Sequence, residues 1–280
     1  MTIKNYTRHG ILSDGSENVS LMNLTFENIA PDYCKTSVCG QNEGAIMFTN
    51  SENIQVRFSN FTNVASGIRF VDSSGPLSVT SNEALNPGRN FFQCNRCTGP
   101  LIKINGNSME HTAQFGDTIL EDWINIYQSD GADYSWIKIN NNRARGHSSS
   151  SSGSFIILGD GGGQYQEATG NIGVNPGQVG IGAAGGKFIK VKENLMFSEK
   201  WGESNVAYYS ANYSELPNNN CDHHIFLGPN NYTPNKSNWK NKNGTLNNAF
   251  SDENCGISKT AIKDSVVYDS IIDASIWNNW

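Results

Sequence analysis

The sequence predicts an all-β chain wound as a parallel β-helix, a solenoid closed by a C-terminal capping segment. Three observations lead there. Period-2 apolar runs recur and each ends in Asn: Val19 to Asn28, Ile54 to Asn60, Leu77 to Asn82, Leu101 to Asn107, Ile137 to Asn142 and Phe188 to Asn194. The closing Asn residues are 32, 22, 25, 35 and 52 positions apart, and Asn171 divides the last interval into 29 and 23. Charged residues make up only 16% of the chain, while Gly, Ser, Thr and Asn abound, a turn-rich composition. A strand-and-turn unit of this length buries its apolar face only by stacking on its neighbours. A β-sandwich would place strands every 8–12 residues, a shorter unit than this one. Asn suits the bend of each coil, because it tolerates left-handed backbone and its amide can bond the Asn stacked above it.

Taken in order, the first repeats are interrupted where the spacing lengthens. Residues 31–43 and 86–100 are expected as projecting loops, and 107–120 as an irregular passage. The central stretch, residues 121–186, holds three short apolar runs: Ile124 to Ile126, Phe155 to Leu158 and Val179 to Ile181. Each is bounded by Gly, Ser, Asn or Asp and is too short for a helix, so each reads as a buried strand. The Ser148 to Ser152 run reads as a flexible loop beside them. Beyond Asn194 one short strand is expected at Asn205 to Tyr209, and an Asn-rich loop over 228–254. Residues 258–280 carry apolar positions Ile262, Val266, Val267, Ile271 and Ile276 near helical spacing. Open solenoid ends need covering. The division is therefore a β-helix over 1–256 and a cap or lateral tail over 257–280, anchored by Trp277 and Trp280.

Net charge is −6 without a basic block, which argues against a nucleic-acid partner. No apolar stretch approaches the length of a membrane span. Six cysteines fall into three sequence-local pairs, Cys34 with Cys39, Cys94 with Cys97 and Cys221 with Cys255. Met1 runs straight into strand-like sequence with no apolar leader, so either the chain is cytosolic or a leader has been removed; in a loop-rich chain the cysteine pairs read as disulfides and favour an extracellular or periplasmic address. The C-x-x-C has no βαβ surroundings for a redox motif and no second pair for zinc. Asp222, His223 and His224 hint at metal, but adjacent strand residues point to opposite faces. No metal and no cofactor is expected.

Further stretches carry a likeness to known proteins. Ser152 to Gly163 (SGSFIILGDGGG), Asn175 to Ile181 (NPGQVGI), Ala184 to Gly186 and Trp239 to Asn247 (WKNKNGTLN) resemble a bacterial group of right-handed β-helix repeat proteins within the pectate-lyase-like superfamily. That resemblance covers most of residues 15–256 and implies a right-handed coil. It leaves function open, because the fold hosts lyases, hydrolases, epimerases, tailspikes and adhesins. A narrower likeness is to polygalacturonase-type hydrolases. Glu121-Asp122 stands where that family has paired carboxylates, Gly146-His147 where it has a G-H-G, and Asp160 follows one strand later. The family's third Asp and its R-I-K motif do not appear.

The candidate catalytic residues are therefore Glu121, Asp122, His147 and Asp160. Clustered carboxylates can push one pKa up and supply an acid and a base for glycoside cleavage, and His147 could assist proton transfer. For Asp160 the competing reading is an Asx-turn before a glycine bend, and for the carboxylate pair a turn cap and a solvated side chain. Trp123 and Tyr127 share a strand parity opposite to Ile124 and Ile126, so both are expected outward, as a sugar-stacking platform or under a loop. Arg143 and Gln178 are expected to hold substrate carboxylate or hydroxyl groups. The function expected is polysaccharide binding and cleavage, by hydrolysis or elimination, with a homo-oligomer allowed. The alternative is a non-catalytic surface protein, adhesin, filament subunit or tailspike that uses the solenoid as a rigid spacer.

Overall fold

The computed structural model describes residues 1–30, 42–112, 120–147, 153–198, 206–213, 221–228, 230–234, 248–253, 255–257 and 262–264. After β1 (Thr2–Lys4) the chain winds in turns of three strands. The first turn is β2 (His9–Asp14), β3 (Glu17–Met22) and β4 (Thr25–Ile29), and the second is β5 (Gly44–Thr49), β6 (Glu52–Arg57) and β7 (Asn60–Val64). Then come β8 (Ile68–Val71), β9 (Ser74–Thr80) and β10 (Glu83–Leu85), followed by β11 (Asn90–Asn95), β12 (Ile102–Asn105) and β13 (Ser108–Glu110). The central turns are β14 (Asp122–Asp130), β15 (Ile137–Asn140) and β16 (Arg143–Arg145), then β17 (Ser154–Thr169) and β18 (Ile172–Val174). The last are β19 (Val179–Ala183), β20 (Lys187–Lys192) and β21 (Leu195–Ser198), then β22 (Val206–Ala211), β23 (His224–Leu227) and β24 (Asn230–Pro234), and finally β25 (Asn248–Glu253) and β26 (Ile262–Asp264).

Each strand pairs in parallel with its counterpart one turn away. Three sides result. The first runs from β2 through β14 and β19 to β25, the second from β3 through β15 to β23, and the third from β1 to β26. The fold is the right-handed parallel β-helix expected from the sequence. The 16-residue β17 serves two sides at once: Ser154 to Asp160 pairs with β14 and Gln164 to Thr169 with β15. It can round the corner because Gly161, Gly162 and Gly163 all have positive φ, a backbone that a side chain would strain.

All six Asn-terminated runs place a strand on the second side: β3, β6, β9, β12, β15 and β20. At the corner that follows, Asn82, Asn107, Asn142, Asn171, Asn194 and Asn230 stack in a buried column. Each Nδ2 donates to the Oδ1 of the next Asn, at 3.0 Å from Asn82 to Asn107 and 2.9 Å from Asn107 to Asn142. The link continues at 3.0, 2.9 and 3.2 Å up to Asn230. The same Oδ1 accepts the preceding turn's backbone N–H, and Nδ2 also reaches a strand carbonyl, as from Asn142 to Ile104 at 2.8 Å. The left-handed residue is not the ladder Asn but the one before it: Ser81, Gly106, Asn141, Gly170 and Glu193 have φ between 54° and 67°. That residue makes the bend and frees the Asn side chain to point inward.

Two closing Asn residues of the early repeats lie outside this column. Asn28 belongs to an exposed ladder at the next corner, where its Nδ2 donates to Asn5 and Asn63 donates to it. Asn60 opens β7, and Ser59 takes the ladder position, accepting from Leu24 N and donating its own N–H to Asn82 Oδ1 at 3.0 Å. Inside, one continuous apolar core fills the coil, with Ile139, Ile156, Val179 and Val191 buried.

The structure corrects several loop expectations. Residues 86–100 contain β11, whose Phe91 and Phe92 are both fully buried, and the Cys94–Cys97 disulfide lies inside the core at the adjoining corner. The 228–254 segment contains β24 and β25, the former pinned by ladder residue Asn230. In the tail, Ile262–Asp264 is a strand on β24 rather than part of a helix. The Cys221–Cys255 disulfide forms as expected, and two such bridges fit an oxidising compartment. Cys34, Cys39, the Ser148 to Ser152 run, Trp277 and Trp280 lie outside the described residues.

The ladder is expected to dominate local stability. Asn142→Ala strands the Asn107 amide and the Ile104 carbonyl, and should cost about 2–4 kcal/mol. Denaturant unfolding would show this as a lowered midpoint. A change below about 0.5 kcal/mol, the scale of an ordinary surface substitution, would contradict it.

Candidate polar site on the first side

Parallel stacking in register turns sequence positions into rows that run across the strands. On the first side, Arg69 of β8, Gln93 of β11 and Asn125 of β14 are directly paired, continuing through Ile157, Gly182 and Tyr209. One row along lie Asn90, Asp122 and Ser154, and on the other flank Asn95, Tyr127 and Asp160. Asn125 stands between Ile124 and Ile126, both in the core, and so faces outward. Trp123 also enters the core, leaving Asp122 on the same outer side as Asn125.

At the centre of this face one amide bridges two carboxylates. Asn125 Nδ2 donates to Asp122 Oδ2 at 2.9 Å and to Asp160 Oδ2 at 2.8 Å. Asn125 Oδ1 is buried without a hydrogen-bond partner. Asp122 is 6% exposed, and its pKa is pushed up from 3.8 to about 7. Burial is the main cause, the Glu121 charge comes second, and Asp160 adds to both, against hydrogen bonds from Asn125 and Ser154. Asp122 therefore keeps its proton to a much higher pH than an exposed carboxyl group does. The half-buried Tyr209 phenol lies over Gly182, where a Cβ would meet its Cε1 at 2.4 Å. Its pKa is pushed well up by burial and then by Asp122 and Asp160, so it is a neutral hydroxyl facing the pair.

The other expected residues distribute unevenly. Glu121 adjoins the pair, but its Oε2 accepts from Arg89 Nε at 2.7 Å, an ion pair with Arg89 largely buried. Tyr127 is half-buried beside Asp160, with its ring edge against the Gly161 bend, where a Cβ would lie 2.8 Å from Cε2. Gln178 precedes β19 in the column of Glu121 and Gly153, and its carbonyl accepts from Val206 N at 3.1 Å. Three expectations need correction. Trp123 is fully buried, so it is no sugar platform; the strand's alternation breaks at its start, where Trp123 and Ile124 both pack inward. His147 is buried between Gly153 and Gly177, with Nε2 3.3 Å from the Glu121 carbonyl oxygen. That acceptor assigns the proton to Nε2 and ties this edge of the ring to the backbone. The Gly177 of the NPGQ stretch leaves room for its ring, since a Cβ there would come within 2.6 Å. Arg143 lies on the third side, where its Nε donates to Ser108 Oγ at 2.8 Å. There it lines a hollow of about 560 Å³ with Glu83 and Glu110, away from the carboxylate pair.

Cys221, His224 and Cys255 bring their ligand atoms within 4.8 Å of one another, but the two sulfurs are bonded to each other. His224 is engaged on both nitrogens, with Ser210 Oγ at 2.8 Å and Gly185 O at 2.9 Å. His224 opens β23 and is buried, whereas His223 is exposed in the turn before that strand, so strand alternation does not relate the two. This trio is a structural clasp. Sequence reasoning missed Asn125, Tyr209 and Arg69. The signal for Asn125 was present in Ile124-Asn125-Ile126, where a polar residue alternates with two core residues.

No family model, curated protein or solved structure matches this chain. The likeness to the pectate-lyase-like superfamily therefore stands at the level of an all-parallel β-helix.

The raised Asp122 pKa fixes a pH dependence. Between about pH 4 and 7 the folded protein holds a proton on Asp122 that the unfolded chain has released, so the stability due to this group falls as pH rises through that window. Above it, the penalty is on the order of 4 kcal/mol. Asp122→Asn should thus melt higher than wild type at pH 8 and equal to it at pH 4. Equal melting temperatures at both pH values would refute the shift.

Proposed function

We propose that the outer face of the first side binds a polysaccharide chain and cleaves a glycosidic bond in it. The observation that carries this reading is the shared Asn125 amide. Two carboxylate oxygens on one donor lie less than about 6 Å apart, near the roughly 5–5.5 Å of retaining glycosidases and short of the roughly 6.5–9.5 Å of inverting ones. Their environments also divide the labour. Asp122, buried and partly protonated at neutrality, is the general acid for the leaving oxygen. Asp160, half-buried and held by Asn125, is the nucleophile. Glu121, ion-paired with Arg89, lies beside Asp122 and favours the protonated form of that carboxyl group. An extracellular or periplasmic address follows from the same reading and agrees with the two disulfides.

One observation favours the competing reading, a non-catalytic surface protein with the solenoid as a spacer: Asp122 is only 6% exposed. A polysaccharide panel assayed for new reducing ends separates the two. Cleavage of at least one polysaccharide by wild type, lost by at least 10³-fold in Asp160→Asn with binding and melting temperature retained, is the expected result. Binding without cleavage of any polysaccharide, identical in wild type and variant, would establish the spacer reading instead.

A further inference from the structure

The second side carries an outward row of charge that the first-side site does not use. Lys103 of β12, Lys138 of β15, Glu167 of β17 and Lys190 of β20 are paired strand to strand, each between residues buried in the coil. Glu167 lies between two of the lysines, 4.0 Å from Lys138 Nζ and 3.8 Å from Lys190 Nζ. Lys103 has no ion pair among the described residues and stands one strand, roughly 4.8 Å, from the like charge of Lys138. Three ammonium groups against one carboxylate leave this row cationic on an acidic protein.

At the corner before the row runs a file of large side chains in register: Leu101, Trp136, Tyr165, Phe188 and His223. Leu101, Tyr165, Phe188 and His223 hold φ between 53° and 60°, a backbone that is costly for a side chain with a Cβ and that Asn fills at other corners of this coil. Tyr165 stacks on Phe188 at 4.9 Å and Phe188 on His223 at 4.7 Å between centroids, while Trp136 meets Tyr165 edge-on at 5.8 Å. The file of rings stops at Trp136, because the next turn offers the exposed Leu101 instead. Beside that break lies a hollow of about 320 Å³, with Leu101, Tyr134 and Trp136 as its apolar lining and Lys103, Lys138 and Lys190 as its cations. The excursion 131–136 that forms one wall is tied down. Ala132 and Ser135 exchange backbone hydrogen bonds of 3.0 and 2.9 Å, and Trp136 Nε1 donates to Asp133 O at 3.1 Å. The Asp133 carboxylate turns to its own backbone, accepting from Tyr134 N at 2.7 Å.

We infer that this hollow is a second ligand site, for a small phosphate monoester carried on a flat ring. It is independent of the glycan site, which lies on another side of the coil. A phosphate monoester carries about 1.5 to 2 negative charges at neutral pH, which matches three ammonium groups of which one carboxylate already offsets a part. A carboxylate or a sulfate ester brings a single charge. Lysine ammonium groups act as point charges and can meet a tetrahedral anion from several directions, whereas a planar carboxylate is better matched by arginine, and no arginine among the described residues lines the hollow. The ligand's ring takes the place beside Trp136 where the file of side-chain rings ends, with Leu101 and Tyr134 as its other apolar contacts. The volume is at the lower end of the roughly 300–1,000 Å³ of small-molecule sites, so the ligand is small.

The test is an NMR titration of the full chain at about pH 7.5 and low salt, where the ester is close to doubly charged and screening is weak. The readout is the indole N–H resonance of Trp136, assigned by its absence from Trp136→Phe. The probes are phenyl phosphate, phenyl sulfate and inorganic phosphate. Phenyl phosphate should move the Trp136 resonance to saturation and bind about fivefold or more tighter than either of the other two. Lys103→Gln should weaken phenyl phosphate by about fivefold or more and bring it level with phenyl sulfate. Trp136→Leu, followed by calorimetry, should bring phenyl phosphate level with inorganic phosphate. A Trp136 resonance that none of the probes moves overturns the site. So does equal binding of all three, or binding of phenyl phosphate that Lys103→Gln leaves unchanged. Lys103→Gln and Lys138→Gln guard against loss of fold. Both should melt no lower than wild type without ligand, because each removes one of two like charges in register. Lower melting temperatures in both variants would assign the lysines to structure and overturn the inference. Cleavage of polysaccharides is read by the reducing-end assay and stands or falls separately.

Discussion

The buried asparagine column is the interaction on which the rest of the structure depends. A parallel solenoid has no short hairpin to set its register, and a slip by one residue would turn every side chain to the opposite face. In the column, each Oδ1 accepts from the preceding turn's backbone and side-chain amides, while each Nδ2 reaches both a neighbouring Asn and a strand carbonyl. These donors and acceptors sit where water does not reach, so a slipped register would leave several unsatisfied at once. The turns vary in length because loops can leave the coil, but the column returns each turn to the same place.

Register then creates chemistry that no single strand contains. Asp122 and Asn125 come from one turn and Asp160 from the next, and they meet because Tyr127 pairs with Asp160 and Asn125 with Ile157. The glycine corner after Asp160 lets β17 leave the first side there and continue on the second. Burial does the rest. With little water at the face, charge on Asp122 is unfavourable, and the negative neighbours strengthen that effect. The same low exposure leaves Arg69 without solvent as a partner. The face thus holds a carboxylate cluster and, two strands away, the buried Arg69; Asn125 Oδ1 in the first and Nε and Nη1 of the second lack hydrogen-bond partners. Sites that bind or transform ligands commonly retain such deficits at the expense of stability.

Much of the fold was legible because its signal is local and repeated. The alternating strands before Asn82, Asn107, Asn142 and Asn194 specify both the second side and its corner, and Asn171 fits the gap between two of them. Asn28 and Asn60 were misleading, since Asn also suits the exposed left-handed corners and Ser can stand in the ladder. The strands within 86–100 and 228–254 were hidden by Asn, Gly and Pro content, because a strand held by neighbours on both sides needs little propensity of its own. At the site, Asp122 and Asp160 stand out in sequence as carboxylates at strand ends. The burial of Trp123 was not legible, since it rests on a local break in alternation. Nor was the position of Arg143, since three sides per turn send residues close in sequence in different directions. Asn125 and Arg69 become conspicuous only once the rows are assembled.

The central claim is that stacking places Asp122 and Asp160 on one amide in a dry environment, leaving Asp122 partly protonated at neutrality. Carbon-detected NMR titration of the Asp122 carboxyl group tests this directly. A midpoint near pH 7 in wild type, moving to lower pH in Asp160→Asn as the neighbouring charge is removed, is the result the structure predicts. A midpoint near pH 4 that ignores the Asp160 substitution would contradict it.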